Sequence, residues 1–258
     1  MMFRSLGLAT DALVMSGLST FEDRGDHIVQ TTPDEPDFWF GNCVILKDDR
    51  TTLQKAETLF SIAHPKAQHV CLQWDGVEPN VSRFEGLGYE IERDDVLTLR
   101  HAIRAPELPA GLSLRPPQSD EDWRSLVDLG LEVAVEDGHD PVLHAEYLVK
   151  RYANRRVQVS RGLGQWFALW AGDVPVSSMG VLLNRELIRF QDVQTRASYR
   201  RRGLCAALLG HVGGWAFGKA PDATAVIVAE AEGDAGRIYR RAGFGLHETV
   251  TAALKRPQ

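Results

Sequence analysis

The chain has 258 residues, 44% of them hydrophobic and 25% charged, enough for one large domain or two small ones around a substantial core. Its net charge of -6 is uneven: residues 1–110 carry 10 basic and 18 acidic side chains and the remainder 19 and 17, which argues against a nucleic-acid binder and suits the carboxy-terminal part to a small polyanion. No apolar run approaches the roughly 18 residues of a membrane span, and three dispersed cysteines and eight scattered histidines give neither a disulfide framework nor a metal-ligand pattern.

The first 17 residues are mildly apolar but broken by Asp11, and they lack the order of a secretion signal. They read as part of the fold, and the chain reads as cytoplasmic. A helix containing Leu53 and Phe60 is followed by a strand over residues 69–74. Residues 104–117 hold Pro106, Pro109, Gly111, Pro116 and Pro117, a boundary that leaves room for one short strand over 112–115. Ser119 and the acidic residues after it start a helix that Trp123, Leu126, Val127 and Leu131 continue, and helix-rich sequence runs on to Arg156. Within it Glu136, Asp137, His139, Asp140 and Glu146 form either an ammonium-holding cluster or a solvated loop. Strands over 165–170, 174–183 and 187–195 follow, separated by turns.

Residues 199–216 (YRRRGLCAALLGHVGGWA) then run from an arginine-rich turn into a helix whose buried face is Leu204, Leu208, Val212 and Trp215. Gly203 has no Cβ to keep a ligand from the backbone, and the amides that follow are the orphan donors of a helix N-terminus, which favour an anion. Arg200, Arg201 and Arg202 add positive charge beside them. Alone, this pattern fits a pyrophosphate or a solvated surface turn. A buried strand over 223–229, a helix over 234–241 ending at Gly243-Phe244, and a strand over 246–254 complete the order.

At a constant offset of 155 residues the first half echoes the second. The pattern from Phe84 matches that from Tyr239, residues 69–74 match 224–229, and Leu53 and Phe60 match Leu208 and Trp215. The copies differ where the anion would bind, since Asp48 falls near the place of Gly203 and would repel a phosphate, and Phe84 lacks the hydroxyl of Tyr239.

These residues together resemble the GNAT superfamily of N-acetyltransferases. Arg200, Gly203 and Cys205 take the three places of that family's Gln/Arg-x-x-Gly-x-Gly/Ala motif, with Cys205 a small departure and Ala206 next to it. Residues 192–200 look like the family's pantetheine-binding segment, and Ile238 to Phe244 (IYRRAGF) look like its later Tyr and Gly-Phe signature. The resemblance implies an α/β fold with a splayed mixed sheet flanked by helices, in two tandem copies: residues 1–108 degenerate and without a cofactor site, residues 109–258 binding acetyl-CoA. It implies transfer of an acetyl group by direct attack of a primary amine of a small molecule or peptide, with no metal, no nucleic acid and no membrane; a homodimer is compatible with it.

On this reading the amides of Arg200, Arg201, Arg202, Gly203, Leu204, Cys205 and Ala206 hold the pyrophosphate. Val193, Gln194 and Thr195 face the pantetheine and thioester, with the Val193 N–H as the donor to the developing oxyanion. Tyr239 is the general acid, and Glu230 and Asp192 are the candidate bases. Glu232 stands where many members of the family carry an asparagine, so no role carries over there. The other reading is a non-catalytic acyl-CoA sensor or scaffold on the same fold.

Overall fold

The computed structural model describes residues 2–257. The chain forms two compact units, one made of Met1–Thr98, Val228–Arg237 and Gly245–Gln258, the other of Leu99–Ile227 and Ile238–Phe244.

The first unit contains helices α1 (Leu6–Val14) and α2 (Leu53–Ala63) and strands β1 (Thr20–Asp23), β2 (His27–Thr31), β3 (Cys43–Leu46), β4 (Val70–Trp74) and β5 (Glu90–Leu99). Alternation fails in β2 and β3, whose residues are nearly all buried, as expected for strands covered on both faces. β3 and β4 run parallel and are joined through α2, which lays Ala56 and Phe60 onto them; β1, β2 and β3 pair antiparallel. The core is formed by Ile28, Val44, Ile45, Leu46, Phe60, Leu72, Trp74 and Phe84.

The sequence places the last strand of the chain at the end of the second half, but that strand (Gly245–Lys255) lies in the first unit, between β4 and β5 and antiparallel to both. It contributes Ala253 and Leu254 to that unit's core. The offset of 155 equates β5 with this strand, and the two equivalents pair with each other, Glu90 with Leu254 and Asp94 with Val250. Near its centre the register is self-complementary, Asp94 pairing with Val250 and Asp95 with Thr249, and a register shift between Leu246 and Glu248 breaks the symmetry beyond.

The second unit holds β6 (Ser113–Arg115), α3 (Asp120–Glu136), α4 (Pro141–Ser160), β7 (Gly164–Ala171), β8 (Val174–Leu183), β9 (Leu187–Thr195) and α5 (Leu204–Lys219), then most of β10 (Thr224–Glu230) and the end of α6 (Asp234–Arg241); the strand at Gly245–Lys255 is β11. Within it β10, β9, β8, β7 and β6 are neighbours in that order. Ser119 caps α3 by accepting the Asp122 N–H, and Asp140 caps α4 with its side chain on the Val142 and Leu143 amides, Pro141 filling the first helical position. Asp140 is thereby a cap, with its carboxylate turned to its own helix. α5 buries Leu204, Leu208 and Val212 as its spacing predicts, while Trp215 is half-buried against Phe167.

β9 and β10 pair parallel over only three positions, Leu187–Arg189 with Thr224–Val226. Among the described residues the rest of β9 has no β10 partner, so the sheet splays there.

Candidate functional site

The residues expected from sequence to face the pantetheine lie on β9 of the second unit, and the irregularity of that strand is the feature that sequence could not show. β8 and β9 pair with Ser178 opposite Gln194 but Gly180 opposite Gln191, so Asp192 and Val193 both face Met179. This is a β-bulge, which takes two residues out of the one-to-one ladder and re-aims their backbone groups. Asp192 adopts φ 50°, a left-handed conformation that L-residues seldom hold without compensation.

The compensation comes from α4. Arg151 Nη2 donates to Asp192 Oδ1 at 2.6 Å, and Arg155 Nε lies 3.7 Å from Oδ2; the Asp192 side chain is only 8% exposed. Burial would raise its carboxyl, but Arg151 and then Arg155 outweigh burial and hold it below the usual carboxylate range. A carboxylate so held is a poor proton acceptor, and its place in the fold is that of an anchor between α4 and the bulge. Tyr147, Arg151 and Arg155, spaced four apart on α4, were the signal available for it. Arg151 also donates through Nη1 to the Tyr147 hydroxyl.

Beyond the bulge the strand is tied to β8. Ser177 Oγ donates to the Gln194 carbonyl at 2.7 Å and lies 2.8 Å from Thr195 Oγ1. The Gln194 side chain packs on Gly130 of α3, where an added Cβ would come within 3.3 Å of Oε1.

The turn that follows has an unusual backbone. Arg201 (φ 62°) and Gly203 (φ 77°) are both left-handed and bracket Arg202, an alternation that turns successive N–H groups to one side. Gly203 is the N-cap of α5 and gives no side-chain cap, so the first-turn amides of Leu204, Cys205 and Ala206 have no cap acceptor from it. A Cβ built on Gly203 would meet nothing within 4 Å, so the backbone faces open space that a ligand can reach. The three arginines differ in their availability. Arg200 donates from Nε to the Thr195 carbonyl at 3.1 Å and pairs with Glu136 of α3, while Arg202 donates to the Ser198 carbonyl and lies over the Tyr199 ring; all three are exposed.

Tyr239 of α6 is buried, 6% exposed, and interacts with Cys205 in the first turn of α5. Burial, with Cys205 adding to it, pushes the phenol well above its ordinary value, and burial pushes the Cys205 thiol up to about 11. Both are protonated at neutral pH. Four elements of the expected site therefore lie within one unit: the bulge, Gln194 and Thr195, the arginine turn and Tyr239. Glu230 and Glu232 belong to the first unit. Glu230 is exposed at the end of β10, and Glu232 sits in a left-handed turn (φ 66°) whose carbonyl accepts from Arg237.

The matching position in the first unit is built differently. Thr52 caps α2 by accepting the Lys55 N–H, and Asp48 accepts the Arg50 N–H at 2.8 Å. Side-chain oxygens thus cap amides at the start of α2, whereas Gly203 gives α5 no side-chain cap.

No known family model matches the sequence, and no curated protein does. Solved structures do match in fold. A GCN5-related N-acetyltransferase from Kribbella flavida aligns over 98% of this chain and 94% of its own with TM-score 0.62 and 18% identity. The chain has the GNAT fold. A tandem GNAT protein from the clavulanic acid biosynthesis pathway aligns over 94% of this chain and 86% of its own (TM-score 0.59, 13% identity), so the GNAT likeness extends through both halves. A functionally unknown conserved protein from Staphylococcus epidermidis aligns over 92% and 93% (TM-score 0.71, 14% identity). The splay after Arg189 and the sheet flanked by helices are the GNAT features expected from sequence. Among the described residues no helix is long and apolar enough to cross a membrane, and no group of three or more His, Cys, Asp or Glu is placed to hold a metal ion.

Proposed function

We propose that the chain is an acyl-CoA-dependent N-acetyltransferase that moves an acetyl group from acetyl-CoA to a primary amine of a small molecule or peptide. The observation that carries this is the turn at residues 201–206, uncapped, left-handed at Arg201 and Gly203, and open to solvent beside a bulged strand. The backbone amides of this turn are the donors for the diphosphate, and α5's N-terminal dipole adds to them. Arg201 and Arg202 supply charge at its rim, while Arg200 braces the turn against Glu136 and the Thr195 carbonyl.

Acetyl-CoA supplies an acyl group already activated as a thioester. The chain's part is positional: the bulge directs the Val193 N–H to where the carbonyl oxygen becomes negative, and Gln194 and Thr195 line the approach. Tyr239, kept neutral by burial, donates its phenolic proton to the departing thiolate. Cys205 is a thiol at neutral pH and takes no covalent part, so transfer is direct. Cys205→Ala is expected to leave kcat/KM within about threefold, and mass spectrometry after mixing with acetyl-CoA should find no acetylated cysteine. Tyr239→Phe is expected to lower kcat about 100-fold while the acetyl-CoA Kd stays unchanged by calorimetry.

We further propose that residues 1–108 are a degenerate copy without a cofactor site, a reading supported by the filled amides at Asp48 and Thr52. The direct test is thiol release from acetyl-CoA across a panel of amines and peptides, together with calorimetry. Acetyl-CoA binding near stoichiometry one per chain with amine-dependent thiol release supports the proposal; no measurable binding defeats it.

A further inference from the structure

We propose that His144 is the proton acceptor for the amine, standing second in a row, His139, His144, Tyr147, Arg151 and Asp192, that ends at the β9 bulge. The inference rests on the acetyl-transfer reading above and adds the base that this reading lacks.

The row is continuous in contact. The rings of His139 and His144 stack with centroids 4.5 Å apart, His144 meets Tyr147 at 5.3 Å, Tyr147 accepts from Arg151, and Arg151 holds Asp192 at 2.6 Å. Residues 144, 147 and 151 follow the three- and four-residue spacing of one α4 face, beside the buried stripe of Leu148, Tyr152 and Arg155. Arg151 occupies the Tyr147 oxygen as an acceptor, which leaves the Tyr147 hydroxyl able to donate to a water. His144 is half-buried and so within reach of solvent.

Several other candidate bases are committed. Asp192 is held by two guanidiniums, Glu132 and Glu136 of α3 pair with Arg196 and Arg200, Asp140 caps α4, and His211 Nε2 contacts the Pro106 carbonyl. Burial lowers the titration of His144 below its ordinary value, with His139 and Arg151 adding to the effect, so the ring is neutral near pH 7.

The step balances. One ammonium proton passes through a water beside Tyr147 to the imidazole, giving imidazolium and free amine. The amine lone pair forms the C–N bond as the C–S bond breaks. The second N–H proton is shed to the phenolate left when Tyr239 protonates the thiolate, and the imidazolium returns its proton to solvent.

The test uses the full chain. The His144 ring signal, assigned by its loss in His144→Gln, is expected to titrate below pH 6.5 and to shift upward in His139→Gln. His144→Gln is expected to bind acetyl-CoA with unchanged Kd, to lose about 100-fold in kcat/KM near pH 7, and to lose the acid limb of the pH profile below 6.5. A midpoint at or above 6.5, or an active His144→Gln with the same acid limb, overturns the assignment of His144 while leaving acetyl transfer intact. A wild-type chain that binds no acetyl-CoA, or binds it and acetylates no amine, overturns the transfer reading and this inference with it.

Discussion

Gly203→Glu is expected to weaken acetyl-CoA binding by about 100- to 1,000-fold in calorimetry. Two causes act together. The carboxylate would stand among the amides that the diphosphate needs, and hydrogen bonds from donors to a charged oxygen contribute about 1.5–3 kcal/mol each, so losing two at the lower end of that range, about 3–4 kcal/mol together, accounts for the loss. A non-glycine residue at φ 77° also costs roughly 1–2 kcal/mol in the left-handed region. That backbone cost falls on stability, and nothing lies within 4 Å to clash with the new side chain, so the variant should fold. Gly203→Ala separates the two causes: it carries the backbone cost without the charge, and should bind within about tenfold of wild type. Unchanged affinity in Gly203→Glu would remove the assigned anion site.

The second large effect is on stability. Asp192→Asn keeps the shape of the side chain but leaves Arg151 and Arg155 facing a neutral amide, and breaking a buried ion pair from one side costs about 3–5 kcal/mol. At 258 residues this is a fall of roughly 6–20 °C in Tm. Because the folded carboxyl is held below its unfolded value, its contribution is fully present above about pH 4 and is lost only as pH falls through the lower folded value. Wild type and variant should therefore converge in acid and differ most at neutral pH. The pair Asp192→Asn with Arg151→Met should lose less than the two single changes added. A loss under 1 kcal/mol at pH 7 would show that the bulge does not depend on this anchor.

Much of the fold was legible because its elements are strongly patterned. β8, β9 and α6 match the expected spans, and α5 and β10 follow from Leu204, Leu208 and Val212 and from a β-branched run. α1 and β1 to β3 carried too little periodicity to be placed. The destination of β11 was invisible for a different reason: its alternation predicts a strand but says nothing about which edge it joins, and pairing with β4 and β5 is a choice made in tertiary structure. Gly203 and Tyr239 were singled out by local pattern, and the structure adds the left-handed turn at the first and the burial of the second. The state of Asp192 was not legible that way, because its partners lie 41 and 37 positions earlier on α4, and Arg200 looked available until Glu136, 64 positions away, was seen to hold it.

The seating of β11 bears on how the polypeptide is made. At ribosomal rates of about 5–20 residues per second, the roughly 150 residues between β5 and β11 take on the order of ten to thirty seconds to emerge. Throughout that interval β4 and β5 lack the neighbour that later fills the gap between them, and their unpaired main-chain groups are open to any passing extended segment. Chaperone capture of nascent chains should therefore persist until the final strand has been translated, and a nonsense codon just before Gly245 should yield an aggregating product rather than a shortened but folded one.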